Sequence, residues 1–523
     1  MAVSEKDAGM PSSEDAVYPE IADSSSIPKQ NAFQRLLHRT NDLDDLGRDI
    51  LQQSLQFDEA QLEADAKKVR RKLDFIVLPM VYDDNHMLSF LDKQTLNYSL
   101  PYGLRADTHM TLGDYSWVAS ALYFGWIVAA WPWNIALQRF PIAKLIGGML
   151  FVWGMLCMLQ AAVFNFSGFF AIRFFLGMME ACISPAWVLL TSMLWTRDEQ
   201  SMRTSIWLST NGISSILGSL LSYGSGQAVG LKIPNWKLIY LIVGALTFLW
   251  GLVIITYLPD GPHNARMLTP HERMVAVWRV SKNQIGLKHG TLKPYQIREA
   301  LLDGKCYLLY ASGIAVGILN GGVANFLSAI IQGFGYDALR TSLMQAPGGA
   351  FEIVACVFFG WVSQRSKMVG PAIILGCIPG MAGLIGILKI PIENRLALTA
   401  CCWLQNCLGP CVVLNWTVPG LNVSGHTKRT AVMGTYFVMY IAGNIAGPHL
   451  FLDAEVPRYP TAIKGLCGSY GALMVLQGLY MLWCWIENRR RDRANEHVHG
   501  DQKLIEGYED MTDKENKHFR YRL

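Results

Sequence analysis

Residues 143–164 read AKLIGGMLFVWGMLCMLQAAVF, with a single charge, Lys144, near the leading edge. A helix advances about 1.5 Å per residue, so about 18 or more apolar residues cross the hydrocarbon of a bilayer. Working outward, the same pattern recurs at roughly 75–99, 115–137, 168–193, 203–226 and 237–258. After a polar stretch it returns at 306–331, 341–362, 369–389, 396–418, 430–452 and 466–486. A soluble interior buries a few such helices, not a dozen. The expected fold class is an all-α membrane protein with twelve transmembrane helices in two six-helix lobes, the layout of secondary transporters built from repeats.

Composition agrees. Hydrophobic residues make up 51% of the 523 and charged residues only 16%, against about a quarter charged in soluble domains. The charges crowd into three places, which set the expected domains. These are a cytosolic, largely disordered arm (1–74), a six-helix lobe (75–258), a cytosolic linker (259–305), a second lobe (306–486) and a cytosolic tail (487–523). Met1–Gln61 is polar throughout and unlike a signal peptide. Lys and Arg favour one set of loops by about three to one, which puts both termini in the cytosol. The net charge of +4 gives no basic face for nucleic acid, because the cations lie at segment ends.

Cofactor chemistry finds no support. Most of the 11 cysteines lie in apolar runs, where a thiol is a small hydrophobe. Cys401, Cys402, Cys407 and Cys411 lack the histidine or second pair that a zinc site needs. No GxxxxGK[ST] loop is present, so transport would draw on ion or substrate gradients. Metal and cofactor are both expected to be absent, and no catalytic constellation points to an enzyme.

Two basic turns repeat. Leu137-Gln138-Arg139 with Lys144 closes the second span, and Ser363-Gln364-Arg365 with Lys367 closes the eighth. Such turns can hydrogen-bond neighbouring helix ends and hold one conformation of a lobe, so Arg139, Lys144, Gln364 and Arg365 are gating candidates.

Gly360-Trp361-Val362-Ser363-Gln364-Arg365 resembles the loop signature of the major facilitator superfamily, with Gln364 where Asp is usual. Phe90-Leu91-Asp92-Lys93-Gln94-Thr95-Leu96-Asn97-Tyr98, Arg173-Phe174-Phe175-Leu176-Gly177-Met178-Met179-Glu180-Ala181 and the tail Asp510-Met511-Thr512-Asp513-Lys514-Glu515-Asn516 narrow the likeness. Together they resemble the fungal allantoate permease branch of the anion:cation symporter family. The resemblance implies the major facilitator fold, a monomer, and uptake of a small carboxylate such as allantoate, ureidosuccinate, a vitamin or a dipeptide. It also implies that Asp92 and Glu180 take up protons while Lys93 and Arg173 meet the substrate carboxylate. Lys93 stands where many relatives carry Arg, exchanging a planar fork for a point charge.

The residues lead in the same direction. Ionisable groups within a bilayer are costly and therefore candidates by default. Arg173 and Glu180 are seven apart and share a helix face roughly 10 Å apart along the axis, with Pro185 expected to kink the outer end. Asp92 and Lys93 point about 100° apart, so Lys93 can face a cavity while Asp92 faces a neighbouring helix. Asp83, Asp84 and His86 also fall in the first span as drawn. His86 shares a face with Lys93 and can titrate near neutral pH, unless the span begins later. Tyr123 and Trp126, with Asn211, Asn320, Asn325, Asn415 and Trp416, are candidates to line the cavity or to pack helices together. Glu352 suits a lobe-opening contact or a pair with a nearby cation.

The function this supports is a proton-coupled symporter that imports a small organic anion across the plasma membrane by alternating access. Its partners are the anion, protons and lipid. An efflux carrier, or a nutrient receptor on a transporter body, would use the same buried charges.

Overall fold

The computed structural model describes residues 57–78, 80, 84–281, 293–494 and 511–523. Among them, eight helical stretches are long and apolar enough to cross a membrane. Four more complete two sets of six: Asp84–Ser99, Leu112–Arg139, Arg197–Gly226 and His426–Ala446. These are the first, second, fifth and eleventh spans, and they are less apolar over a full membrane-crossing length. Ser214, Ser215, Ser219 and Ser222 of the fifth span are all buried.

The remaining spans are Ile142–Leu159, Phe166–Leu194 (fourth), Asn235–Tyr257, Gly304–Gly333 (seventh), Ala346–Ser366 (eighth), Gly370–Lys389, Arg395–Asn422 (tenth) and Pro460–Ala494. The two lobes pack alike. The first span lies on the fifth, the second on the fourth and the third on the sixth. In the other lobe the seventh lies on the eleventh, the eighth on the tenth and the ninth on the twelfth.

Caps fix several starts. Thr111 and Asp114 form a capping box at the second span, Thr196 and Glu199 one at the fifth, and the Asn165 side chain accepts from the Gly168 N–H at the fourth. The described part of the first span is Asp84–Ser99. Residues Glu59–Leu78 are helical, where the sequence suggested a largely disordered arm up to residue 74. Its Leu62, Val69 and Leu73 are buried, and Lys72 and Asp65 pair with Glu272 and His271 of linker helix Pro270–Ser281. Asp84 and His86 lie on the helix Asp84–Ser99 with their side chains outside the described residues, and Asp83 lies outside the described residues altogether.

The lobes meet at the end of the bundle opposite the linker. There the Asn97 side chain donates to Gln345 Oε1 (3.0 Å) and accepts from the Ser328 N–H (2.9 Å). Ser222 and Ser342 hydroxyls lie 2.9 Å apart, and Arg105 pairs with Asp453 at 2.9 Å. Midway along, the fifth and eighth spans cross at glycine. A Cβ on Gly349 would stand 2.4 Å from the Gly212 carbonyl oxygen, so only glycine permits this approach.

The tail folds back on the second lobe at the linker end. Asp513 is fully buried between the ammonium groups of Lys305 and Lys428, and Asp303 joins them. Arg491 donates to the carbonyls of Asp513 and Phe519 (both 2.9 Å). Burial pushes the Asp513 carboxyl up, but Lys305 and Lys428 outweigh it and hold it below the usual carboxylate range.

Candidate functional site

A cavity of about 150 Å³ lies between the lobes, below the seal. Proline builds its walls. Pro185 has no N–H, and its ring would strike the carbonyl four residues back, so the fourth span breaks at Ala181–Cys182 into Phe166–Glu180 and Ile183–Leu194. Pro410 does the same to the tenth span, which changes to a 3₁₀ turn at Gln405–Cys407. The break in the fourth span lies in its linker half, not at the outer end expected from sequence. Written together, the two breaks repeat: Glu180-Ala-Cys-Ile-Ser-Pro185 and Gln405-Asn-Cys-Leu-Gly-Pro410. Glu180, Ile183, Gln405, Asn406, Leu408 and Gly409 all line the cavity. Broken helices at a central cavity are a recurrent way to free polar groups for a substrate.

The ion pair at the centre joins Lys93 Nζ to Glu180 Oε1 at 2.6 Å. The Glu180 carboxylate also accepts from the Ser89 hydroxyl (2.5 Å) and the Trp126 indole N–H (3.3 Å). Lys93 lies 4.7 Å over the Trp126 ring, a cation–π contact that keeps the ammonium above the cavity floor. Trp126 stacks on Phe437 of the eleventh span, with ring centroids 5.7 Å apart, and so carries the site across to the second lobe.

Of the substrate residues expected from sequence, Lys93, Tyr123, Trp126, Asn211 and Asn320 line the cavity. Asn320 donates to Asn444 Oδ1 at 2.7 Å. Arg173 and Asn415 are not brought to the wall. Asn415 is fully buried and accepts from Gln477 (2.8 Å), tying the tenth span to the twelfth. Arg173 is buried behind the wall with Thr95 Oγ1 3.4 Å from its guanidinium, and its Nε has no acceptor among the described residues.

Asp92 points away from the cavity, as its offset from Lys93 suggested. It is fully buried and accepts from the Trp153 indole N–H and the Cys157 thiol, both at 2.9 Å. The His86 side chain lies outside the described residues. Arg139, Lys144, Gln364 and Arg365 are exposed at the linker end, and none of them makes a hydrogen bond or ion pair among the described residues. The 2–3 turn is instead tied to the sixth span's end, through Asp260 accepting from the Ala143 N–H (3.0 Å).

Sequence reasoning passed over Gln405 and Asn406 and left Glu352 without a place. Glu352 lines the cavity opposite Lys93's lobe. The proline repeat was the available signal for the two amides. Two cavity groups have no partner among the described residues: the Asn211 carbonyl oxygen and the Trp416 indole N–H.

Comparison with known proteins agrees with this architecture. Residues 85–448 match the Major Facilitator Superfamily. An uncharacterised transporter of Schizosaccharomyces pombe is 36% identical over 90% of this chain and 92% of its own length. The allantoate permease of Saccharomyces cerevisiae is 31% identical over 87% of this chain and 86% of its own. A bacterial homologue of the human lysosomal transporter Spinster, solved inward-facing and occupied, superposes with a TM-score of 0.57 at 13% identity, over 78% of this chain and 96% of that one. With its twelve spans and central cavity, this chain is a multi-pass membrane transporter of the Major Facilitator Superfamily, related to fungal carriers that include an allantoate permease.

Proposed function

We propose that this chain is a proton-coupled symporter that imports a small organic anion across the plasma membrane, with both termini in the cytosol. The observation that carries the reading is the Lys93–Glu180 pair inside the cavity. One ammonium cannot hold two carboxylates at full strength. A substrate anion competes with Glu180 for Lys93, and protonation of Glu180 releases the ammonium to the substrate. Proton and anion then enter together as a neutral pair, which lowers the cost of carrying charge through a low-dielectric path. The seal at the end opposite the linker supports a conformation from which substrate leaves toward the linker side.

Asp92 and Arg173 form a second, dry polar layer behind the wall, which suits a proton site and its electrostatic neighbour better than direct substrate contact. The resemblance to an allantoate permease makes allantoate the first probe to try. Purified protein in liposomes should accumulate labelled allantoate, or another carboxylate from a panel, when the outside is acidified. Glu180→Gln should exchange the same compound but no longer accumulate it under a pH gradient. Accumulation by Glu180→Gln equal to that of the wild type would overturn the coupling role.

A further inference from the structure

The charges in the cavity do not balance. Among the described residues its wall carries Lys93, Glu180 and Glu352 as ionisable acids and bases. Lys93 is already neutralised by Glu180. Glu352 is 5% exposed, and no described cation lies within ion-pair distance of it. Its recorded partner is the Ser215 hydroxyl of the fifth span, across the lobe boundary. A buried, unpaired carboxylate is expensive in a span unless something arrives to meet it.

The surroundings make room for an arrival. The carboxylate lies close against Gly409, where a Cβ would stand only 2.7 Å from Glu352 Oε1, and it still reaches the cavity wall beside it. Where the fifth and eighth spans cross, the Asn211 carbonyl oxygen is buried with no donor among the described residues. Asn211 adjoins Gly212, and Glu352 follows Gly349 by three residues, so both acceptors belong to the same crossing. One side of the cavity thus offers an ammonium, and the other offers a carboxylate without a cation and a side-chain amide oxygen without a donor.

We infer that Glu352, with Asn211, forms an acceptor pole that binds an N–H-bearing group of the substrate, amide, ureide or ammonium, while Lys93 binds its acid group. The proposal rests on the anion reading above and narrows it: a bare carboxylate fills one pole, and a bipolar acid fills both and bridges the lobes. A ligand gripping both lobes is also one whose binding favours their closure.

Binding of matched acid pairs to the purified full-length protein tests this, with each pair differing only by the N–H group: ureidosuccinate against succinate, glycylglycine against its des-amino analogue. The wild type should bind at least one N–H-bearing member about ten-fold more tightly than its partner, as expected for one charge-assisted hydrogen bond. Glu352→Gln should reduce that preference to about two-fold or less, and Glu352→Asp should keep the preference. Lys93→Met should weaken both members alike. If no N–H-bearing acid binds better than its partner, or if the preference survives Glu352→Gln, the acceptor pole is refuted. If Lys93→Met leaves acid binding intact, the anion reading fails instead.

Discussion

Lys93→Met should destabilise the protein more than Glu180→Gln, and the two changes should not add. In Lys93→Met the Glu180 carboxylate stays in place, nearly inaccessible, with only the Ser89 hydroxyl and the Trp126 indole to compensate it. Removing one partner of a buried pair costs about 3–5 kcal/mol, and the 28% exposure of the Lys93 side chain places this pair at the lower end, near ~3 kcal/mol. Loss of the cation–π contact adds about 0.5–1 kcal/mol. In Glu180→Gln the amide oxygen can still accept from Ser89 and Trp126, and the freed ammonium can reach cavity water. That change should cost about 1 kcal/mol, the price of a single hydrogen bond. The double variant should cost about 1.5–2 kcal/mol, the Glu180→Gln cost plus the lost cation–π contact, leaving a coupling energy of about 3 kcal/mol, at the top of the range seen for contacting residues. Unfolding of the four proteins in mixed micelles, followed by tryptophan fluorescence, gives the cycle without any substrate. Additivity within about 0.5 kcal/mol would mean that the two side chains do not interact as drawn.

Three further outcomes follow from other parts of the fold. Gly349→Val places side-chain atoms where the Gly212 carbonyl now sits. It should cost about 1–3 kcal/mol by overpacking and lower the melting temperature, whereas the same change at Gly360, which has open space around it, should not. Ser222→Cys with Ser342→Cys replaces hydroxyls 2.9 Å apart on opposite lobes. Oxidation should cross-link the pair and cut uptake by at least ten-fold, with recovery on reduction; full transport by the cross-linked protein would show that this seal does not open during the cycle. Asp513→Asn removes the anion between two buried ammonium groups and should release the tail to protease, at a cost of about 3–5 kcal/mol in docking. Because the Asp513 carboxyl is held below its ordinary 3.8, its contribution is complete above that pH and fades only as the pH falls through the lowered folded value. Tail protection should therefore be flat between pH 5 and pH 8; a loss of protection in that window would assign the docking to another group.

How far the sequence reaches depends on what each residue type costs in a membrane. The spans were legible because a run such as 143–164 has no other stable place, and the helix Ile142–Leu159 with its 3₁₀ end at Ala162 follows it closely. The helix Glu59–Leu78 was not, because its charged stretch around Lys67–Lys72 reads as a polar arm while Leu62, Val69 and Leu73 are buried and the helix packs on the linker. Lys93 and Glu180 stood out because a charge in a span demands a reason. Gln405 and Asn406 did not, because an amide within an apolar run costs little enough to pass as packing. Their role comes from Pro410, which opens the backbone beside them, and that is visible only when the segment is set against Glu180–Pro185.

Arg173 shows a different limit. Seven-residue spacing gives the direction in which a side chain points, and Arg173 does share its face with Glu180. It does not give the depth at which the lobes part. Arg173 lies two turns nearer the sealed end, beside Thr95 and near the level of Tyr115, whose hydroxyl lies 2.9 Å from the Asn325 carbonyl across the lobes. At that level the space that would be cavity is filled, and the guanidinium is left as a buried cation with an idle Nε. If the seal opens in the other half of the cycle, that level becomes the entrance and Arg173 becomes the first cation an incoming anion reaches, with Lys93 below it. The two cations would then act in sequence rather than together. Arg173→Lys should therefore slow capture from the sealed side while leaving affinity from the linker side unchanged, and equal losses on both sides would place Arg173 and Lys93 in a single site.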